Sequence, residues 1–389
     1  MRVCFFGAYD PSYPRHAVIR EGLRANGVEV EECRVLRKFK FWIRYPLLTV
    51  NAIKIWGKRE PINSSEKRGA NFESSGSRRT PGFLIVPEFC QKDVPLAKVL
   101  SICGSKKLIF DPLASRFETK VLDWRRKPPH SLAAWWNFRI DLWSLRLADL
   151  VLADTRAHKD YYCQEFGLDP KQVEVLPLGY DEDLFKPFHE NSSRSAESSA
   201  SLPFTILFYG SFLPLHGVET IIEAARILKD RDSSVRFRMI GSGQTFPGAK
   251  AAALAYGLSN VEFQGWLPAE RLPLEIGPAQ ICLGIFGRTR KAGRVVPHKI
   301  FQAMGMRKTV VTARTAAGEE FFSHRENIYF CDDPLPESLA RAVLELKKDE
   351  ELRERIAQNG FQLVRREYSS RAIGARLLDI LKKRFPCVG

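Results

Sequence analysis

The chain has 389 residues, 44% of them hydrophobic, and a formal net charge of +15. That length sets an expectation of two or three domains with sizeable cores, and the charge calls for an anionic partner without choosing among nucleic acid, lipid and phosphorylated small molecules. The eight cysteines form no CxxC pair and no ligand-like cluster, which argues against a disulfide framework or a structural zinc. No run reaches the eighteen or so apolar residues of a spanning helix; the nearest, Phe39 to Trp56, is broken by Lys40, Arg44 and Lys54.

The first predicted strand is Val3–Phe6. It begins so close to Met1 that no signal-peptide apolar region precedes it, and the expected location is cytoplasmic with reduced thiols. Gly7 and a polar loop follow, then a helix from about Ala17 that stops at Gly27, and a strand over Glu29–Val35. Further strands are expected at Phe83–Val86, Leu108–Phe110, Leu150–Ala153 and Val173–Leu176, with helices over Ser131–Ala148 and Arg156–Phe166. Strands alternating with helices predict parallel βαβ units. Asn63–Arg79 is polar and rich in Ser, Gly and charge, and reads as a disordered insertion. Asn191–Ser201 is a low-complexity tract that reads as an interdomain linker.

After it the plan restarts. Strands are predicted at Thr205–Tyr209, Val235–Ile240, Val261–Phe263, Ile281–Ile285, Thr309–Thr312 and Ile328–Phe330. Helices are predicted over Val218–Lys229, from about Pro247 to Gly257, and from Pro336 onward. Open parallel sheets bind ligands at the carboxyl ends of their strands. Gly7, Gly210, Gly241 and Gly243 stand at such ends and are candidate donor-binding positions; Gly241-Ser242-Gly243 is only a partial dinucleotide fingerprint, since Phe246 holds the third glycine position. The most informative stretch is KAGRVVPHKIFQAMG, Lys291–Gly305. It places Lys291, Arg294, His298 and Lys299 around a helix expected to open with Pro297, and free N–H groups at a helix start favour an anion such as a diphosphate.

GSFLPLHGVETIIEAARIL (Gly210–Leu228), VRFRMIGSG (Val235–Gly243), NVEFQGWLPAERLPLEIGPAQICLGIF (Asn260–Phe286) and VPHKIFQAMGMRKTVVT (Val296–Thr312) together resemble the retaining glycosyltransferases of the GT-B fold, family 4 type, also called glycosyl transferases group 1. The first half agrees more loosely, in LIFDPLAS (Leu108–Ser115), ADLVLADT (Ala148–Thr155) and EVLPLGYDEDLFKP (Glu174–Pro187). The resemblance implies an α/β chain of two facing Rossmann-like domains with a cleft between them. It divides this chain into an acceptor domain over 1–187 with an insertion at 62–80, a linker over 188–202, a donor domain over 203–368, and a final helix over 369–389 that returns to the first domain. It implies transfer of a sugar from a nucleotide sugar, UDP- or GDP-linked, to a glycan or lipid-linked acceptor, with retained configuration and neither metal nor cofactor.

The resemblance assigns donor contacts to Gly210, Ser211, His216, Gly241, Gly243, Trp266, Arg290, Val296, Pro297, His298 and Gln302, and leaving-group stabilisation to Arg294 and Lys299. The family's paired glutamates, spaced E-x7-E, fall here on Arg294 and Gln302, and its Arg and Lys after the first strand of the donor domain fall on Ser211 and His216. Gln302 retains hydrogen-bonding capacity toward a hydroxyl, and Arg294 suits a phosphate rather than a sugar hydroxyl. Toward the acceptor, Asp111 either orients or deprotonates the reacting hydroxyl as a catalytic residue or is a capping or turn-forming aspartate; Arg15 and His16 are candidate acceptor contacts, with a surface or capping role for His16 as the plainer reading. Trp266 either stacks on the base or serves as a rim or core aromatic. Arg34 to Arg59 interleaves cations with aromatics, which suits an anionic membrane surface, and Lys106, Lys107 and Arg125–Lys127 are candidates to extend it. A nucleic-acid binder lacks any recognition motif here. A non-catalytic nucleotide-sugar binder and a nucleotide-sugar epimerase compete with the transferase reading.

Overall fold

The computed structural model describes residues 1–57, 82–188 and 203–388. The expected insertion at 62–80 lies outside them, as does the expected linker apart from residue 188. The first half supplies β1 (Arg2–Gly7), α1 (Pro14–Ala25), β2 (Glu29–Arg34), α2 (Phe41–Gly57), β3 (Phe83–Val86), α3 (Val94–Cys103), β4 (Lys107–Phe110), α4 (Leu132–Leu147), β5 (Leu150–Ala153), α5 (Arg156–Phe166) and β6 (Val173–Val175). These strands pair in parallel in the order β2-β1-β3-β4-β5-β6. Strands such as β3, FLIV, are buried throughout, the pattern of a parallel sheet covered on both faces.

The second half supplies β7 (Phe204–Ser211), α6 (Val218–Arg231), β8 (Val235–Ser242), α7 (Phe246–Ala255), β9 (Val261–Gln264), α8 (Leu272–Ile276), β10 (Ile281–Leu283), α9 (His298–Gly305), β11 (Thr309–Ala313), α10 (Ala316–Glu319), β12 (Tyr329–Cys331), α11 (Pro336–Lys348), α12 (Glu350–Glu367) and α13 (Ser370–Arg384). Its parallel sheet runs β12-β11-β10-β7-β8-β9. Helix α13 leaves this half and packs on α1, so closely that a Cβ on Gly374 would lie 2.1 Å from the carbonyl carbon of Gly22. Arg384 closes the return with an ion pair to Glu174 at 2.6 Å.

Three local differences from the sequence expectation bear on the site. Strands β7 and β8 run two residues further than their apolar cores, because Gly210 pairs with Gly241 in register. Gly241 sits at φ +133°, and a Cβ there would fall 1.9 Å from the Gly210 carbonyl oxygen, so the close approach needs glycine. Pro297 is the residue before α9, extended at ψ 152°, rather than its first helical residue. A π-helical turn, Glu118–Asp123, follows β4. Among the described residues no helix is long and apolar enough to cross a membrane.

Candidate active site at the domain seam

Both sheets turn the carboxyl ends of their strands toward the seam between the two halves, and the second half contributes the loop from β10 to α9. Lys299 is the most unusual group there. It lies one residue inside α9 and is 6% exposed, and its Nζ has no hydrogen-bond partner among the described residues. The Nζ sits 3.8 Å from the Phe208 ring centroid, and a Cβ added to Gly210 would lie 3.5 Å from it. Burial drives its pKa well below the usual lysine value. A buried cation without a counter-charge is costly unless something supplies one.

His216, near enough to feel the charge of Lys299, lies on the loop after β7. Its Nδ1 donates to the Ser211 carbonyl, and burial, then the charge of Lys299, holds the ring well below its ordinary pKa. Ser211 itself is exposed. Gly210, Ser211, His216 and Lys299 thus come together at the end of β7. Gly243 packs against the Phe212 backbone and Gly7 against Asp93, whose Oδ2 accepts from Ala8 N at 2.9 Å.

The rest of the basic loop faces the first half. The Arg294 guanidinium pairs with Glu118 and lies 4.3 Å over the Tyr161 ring. Its carbonyl accepts from Thr155 Oγ1 at 2.6 Å, and the same Thr155 oxygen caps α5 by accepting from His158 N. Lys291 Nζ donates to Thr119 Oγ1 at 2.6 Å. Its pKa is lowered by burial, against the pull of Glu118 and Asp123. The Arg294 and Lys291 side chains, expected on a diphosphate, are therefore held by groups of the other half. His298 is half-buried, donates from Nδ1 to the Gly179 carbonyl at 3.3 Å, and has its pKa lowered by burial to about 4. Gln302 and Val296 are buried in and before α9.

The residues expected on the acceptor side are enclosed. Asp111 and Arg15 form a closed ion pair, Nε to Oδ2 at 2.6 Å, with each residue 1% exposed. Arg15 spends its other N–H groups on the Leu176 and Pro177 carbonyls. Burial pushes the Asp111 carboxyl up while Arg15 pulls it down, and neither is presented to an incoming hydroxyl. His16 is equally enclosed, wedged between Phe5 and Tyr9, with Nε2 3.2 Å from Glu32. Trp266 is 70% exposed on the loop after β9, and Arg290 is exposed beside a cavity of about 500 Å3. That cavity is lined by Glu118, Asp123, Tyr161, Arg288, Arg290 and Arg294 among others.

Several seam residues carry no signal in the chain order. Glu118 lies 176 positions from Arg294. Glu320 accepts from the first two N–H groups of α5, Arg156 at 2.7 Å and Ala157 at 3.1 Å, from across the seam. Only Asp154 and His158 had a readable cue, their i,i+4 spacing; Nδ1 lies 2.6 Å from Asp154, and Nε2 lies 3.9 Å from Glu118. No group of three His, Cys, Asp or Glu among the described residues is placed to hold a metal.

Comparison with known proteins adds the following. Residues 190–363 match the family described as Glycosyl transferases group 1. The mannosylfructose-phosphate synthase of Agrobacterium fabrum is 22% identical over 251 residues, 61% of this chain and 54% of that protein. A D-inositol 3-phosphate glycosyltransferase of Paenarthrobacter aurescens is 32% identical over 100 residues, 26% of this chain and 24% of that protein. The chain thus spans about half the length of the first relative and about a quarter of the second. Among solved structures, the sucrose-phosphate synthase of Thermosynechococcus elongatus superposes with TM-score 0.71 at 13% identity, over 99% of each chain. HepE of Anabaena in complex with UDP-glucose gives 0.70 at 14% identity, over 98% of this chain and all of the other. Two six-stranded parallel sheets with these neighbours make the architecture GT-B, the fold class expected from the sequence.

Proposed function

We propose that this chain, whose residues 190–363 match the glycosyl transferases group 1 family, is a glycosyltransferase that takes a UDP- or GDP-linked sugar and transfers it with retention, without a metal, to a glycan or lipid-linked acceptor. The observation that carries the reading is Lys299: a buried ammonium with no hydrogen-bond partner among the described residues, beside the glycine end of β7. Departure of the sugar leaves negative charge on the diphosphate, and a preorganised cation in a dry site stabilises that charge. The first N–H groups of α9 add a positive dipole end at the same place. His216, kept neutral by burial, has its Nδ1 tied to the Ser211 carbonyl, which fixes the ring beside Lys299.

UDP-glucose bound to HepE, at 14% identity, supports a uridine nucleotide as the first donor to try. The cavity of about 500 Å3 with Arg288, Arg290 and Asp123 on its walls suits an acceptor bearing both an anionic group and hydroxyls. The reading includes a cytoplasmic chain in peripheral contact with membrane. The test is a thermal-shift screen against UDP, GDP, ADP, CMP and their sugars, where a ligand at a hundred times its Kd adds about 2.7 kcal/mol, followed by product analysis with the stabilising donor. No shift with any of them counts against the reading.

A second reading has one specific support. Arg294 and Gln302 replace the expected glutamates, and Arg294 is engaged by Glu118, so a nucleotide-sugar binder without turnover is the competing possibility. Donor binding with neither transfer nor donor hydrolysis favours it.

A further inference from the structure

One face of the first half is built inside out. Helices α2, α3 and α4 each lead from one strand to the next in the direction β2 to β5, and right-handed crossovers put all three on the same side of the sheet, opposite α1 and α13. The contacts agree: Arg44 of α2 pairs with Asp93 just before α3 at 2.8 Å, Tyr45 bonds to the Lys92 carbonyl, and α3 packs on α4.

In α4 the side turned to the protein carries Ala134, Asn137, Asp141 and Ser144, all buried, with Ile140 and Leu145. The side turned to solvent carries Leu132, Trp135, Trp136, Arg139 and Trp143, a stripe at i, i+3, i+4, i+7 and i+11. Leu132 is 86% exposed and Trp135 55%. Helix α2 repeats the arrangement, with Trp42, Ile43, Leu47, Val50 and Ile53 outside and Leu48 and Ala52 inside; Val99 and Ile102 of α3 are exposed between them. Large apolar side chains exposed along three helices on one side of a sheet mark an interaction surface.

The charges name the partner. Stretches 35–57, 94–103 and 124–147 contain one acidic residue, Asp141, and it is buried. They contain exposed Arg37, Lys38, Lys40, Lys54, Arg125, Arg126 and Lys127. Lys40 lies over Trp42, Arg139 over Trp143 and Arg126 over Trp124, so cations and indoles share one layer. A second copy of the chain would bring like charges face to face, whereas an anionic leaflet accepts both groups, indoles at headgroup depth and cations on phosphates. We infer that the outer face of α2, α3 and α4 docks on an anionic lipid bilayer. The sequence-level patch is thereby redrawn: it gains α4, and it loses Lys106, which is buried against the Trp56 ring, and Lys107, which lies over the Phe385 ring. Crossover helices run opposite to the strands, so the amino ends of α2 and α4, with Lys40, Arg125 and Lys127 before them, lie at the cleft end of the sheet. Docking there brings the cleft mouth beside the headgroups, where a lipid-carried acceptor would be met.

The inference rests on the peripheral membrane contact in the proposed reading, gives it a surface, and is testable without any transferase activity. Full-length protein is sedimented with vesicles of phosphatidylcholine alone and with phosphatidylglycerol added, at low and high salt. The expected result is binding to the anionic vesicles that weakens with salt and blue-shifts tryptophan emission. Trp135→Gln with Trp136→Gln and Trp143→Gln should lower the partition coefficient by more than roughly tenfold. Lys38→Gln with Lys40→Gln and Lys54→Gln should lower it by about fivefold per charge. Thermal melting and any nucleotide-induced shift should match wild type in both variants, which separates failure of this surface from failure of the donor site. Equal partitioning onto neutral and anionic vesicles, or wild-type binding by the tryptophan variant, overturns the inference. So does a stable dimer by light scattering that the tryptophan substitutions dissociate.

Discussion

Replacing Lys299 with methionine tests the site through two readouts of opposite sign. The ammonium is 6% exposed and, among the described residues, has no hydrogen-bond partner; the Phe208 ring at 3.8 Å compensates it in part. An unsatisfied buried charged group costs roughly 1–3 kcal/mol or more, and the cation–π contact returns about 0.5–2 kcal/mol of that. Lys299→Met keeps the length of the side chain and removes the charge, so the ligand-free protein should gain about 1 kcal/mol, or roughly 2–4 °C in Tm. The nucleotide result should go the other way. Wild type with a saturating nucleoside diphosphate should gain about 2.7 kcal/mol at a hundred times its Kd, and the variant should lose most of that gain along with turnover. The pH dependence fixes the sign independently. Because burial lowers the folded-state pKa below 10.5, the unfolded chain holds the proton more tightly in that window. Wild-type stability should therefore rise as pH climbs from the depressed value toward 10.5, and the variant should lack that rise. Differential scanning fluorimetry with and without UDP, across alkaline pH, reads all three. A variant that melts below wild type and keeps the full UDP shift would refute the placement of the diphosphate at Lys299.

Arg294→Ala leaves the Glu118 carboxylate, 1% exposed, without its partner and should cost about 3–5 kcal/mol in urea unfolding; adding Glu118→Gln should recover a large part of it, and strict additivity would show that the pair does not hold the seam. His16 should make the protein acid-sensitive. Its folded pKa is about 4 against 6.5, because burial disfavours the charged ring, so stability should fall by about 2 kcal/mol from pH 7 to pH 5. Asp141, raised by burial to about 6, opposes this, since the native state takes up its proton first; the difference between wild type and His16→Gln isolates the histidine, and identical pH profiles would disprove its role. Gly241→Ala should fail to fold, with its Cβ 1.9 Å from the Gly210 oxygen, while Gly248→Ala, which meets nothing within 4 Å, should be neutral or slightly stabilising by circular dichroism melts.

The sheets were legible because parallel strands buried on both faces are short apolar runs with no alternation, and FLIV at β3 or TVVTA at β11 has no other stable place to go. Local chemistry was legible too: Lys299 and His216 stand at motif positions, and the fold puts them side by side. What could not be read was pairing over long separations. Asp111 and Arg15 look like free cleft residues in a sequence, but the fold brings them together across 96 positions and each consumes the other. Arg294 looks like a phosphate ligand until Glu118, 176 positions away, reaches it. Helix α4 was expected where it stands, but which of its faces is buried could not be read, for a different reason. Its period is plain, but period does not say which stripe faces in, and the usual rule of large apolar groups inside would have buried the tryptophans. The buried Asp141 decides otherwise: its carboxylate accepts from Ser115 Oγ and from Phe117 N, both at 2.8 Å, and so anchors the turn before Glu118–Asp123. Satisfying that turn fixes the rotation of α4, and with the rotation fixed Trp135, Trp136 and Trp143 have only the outside left.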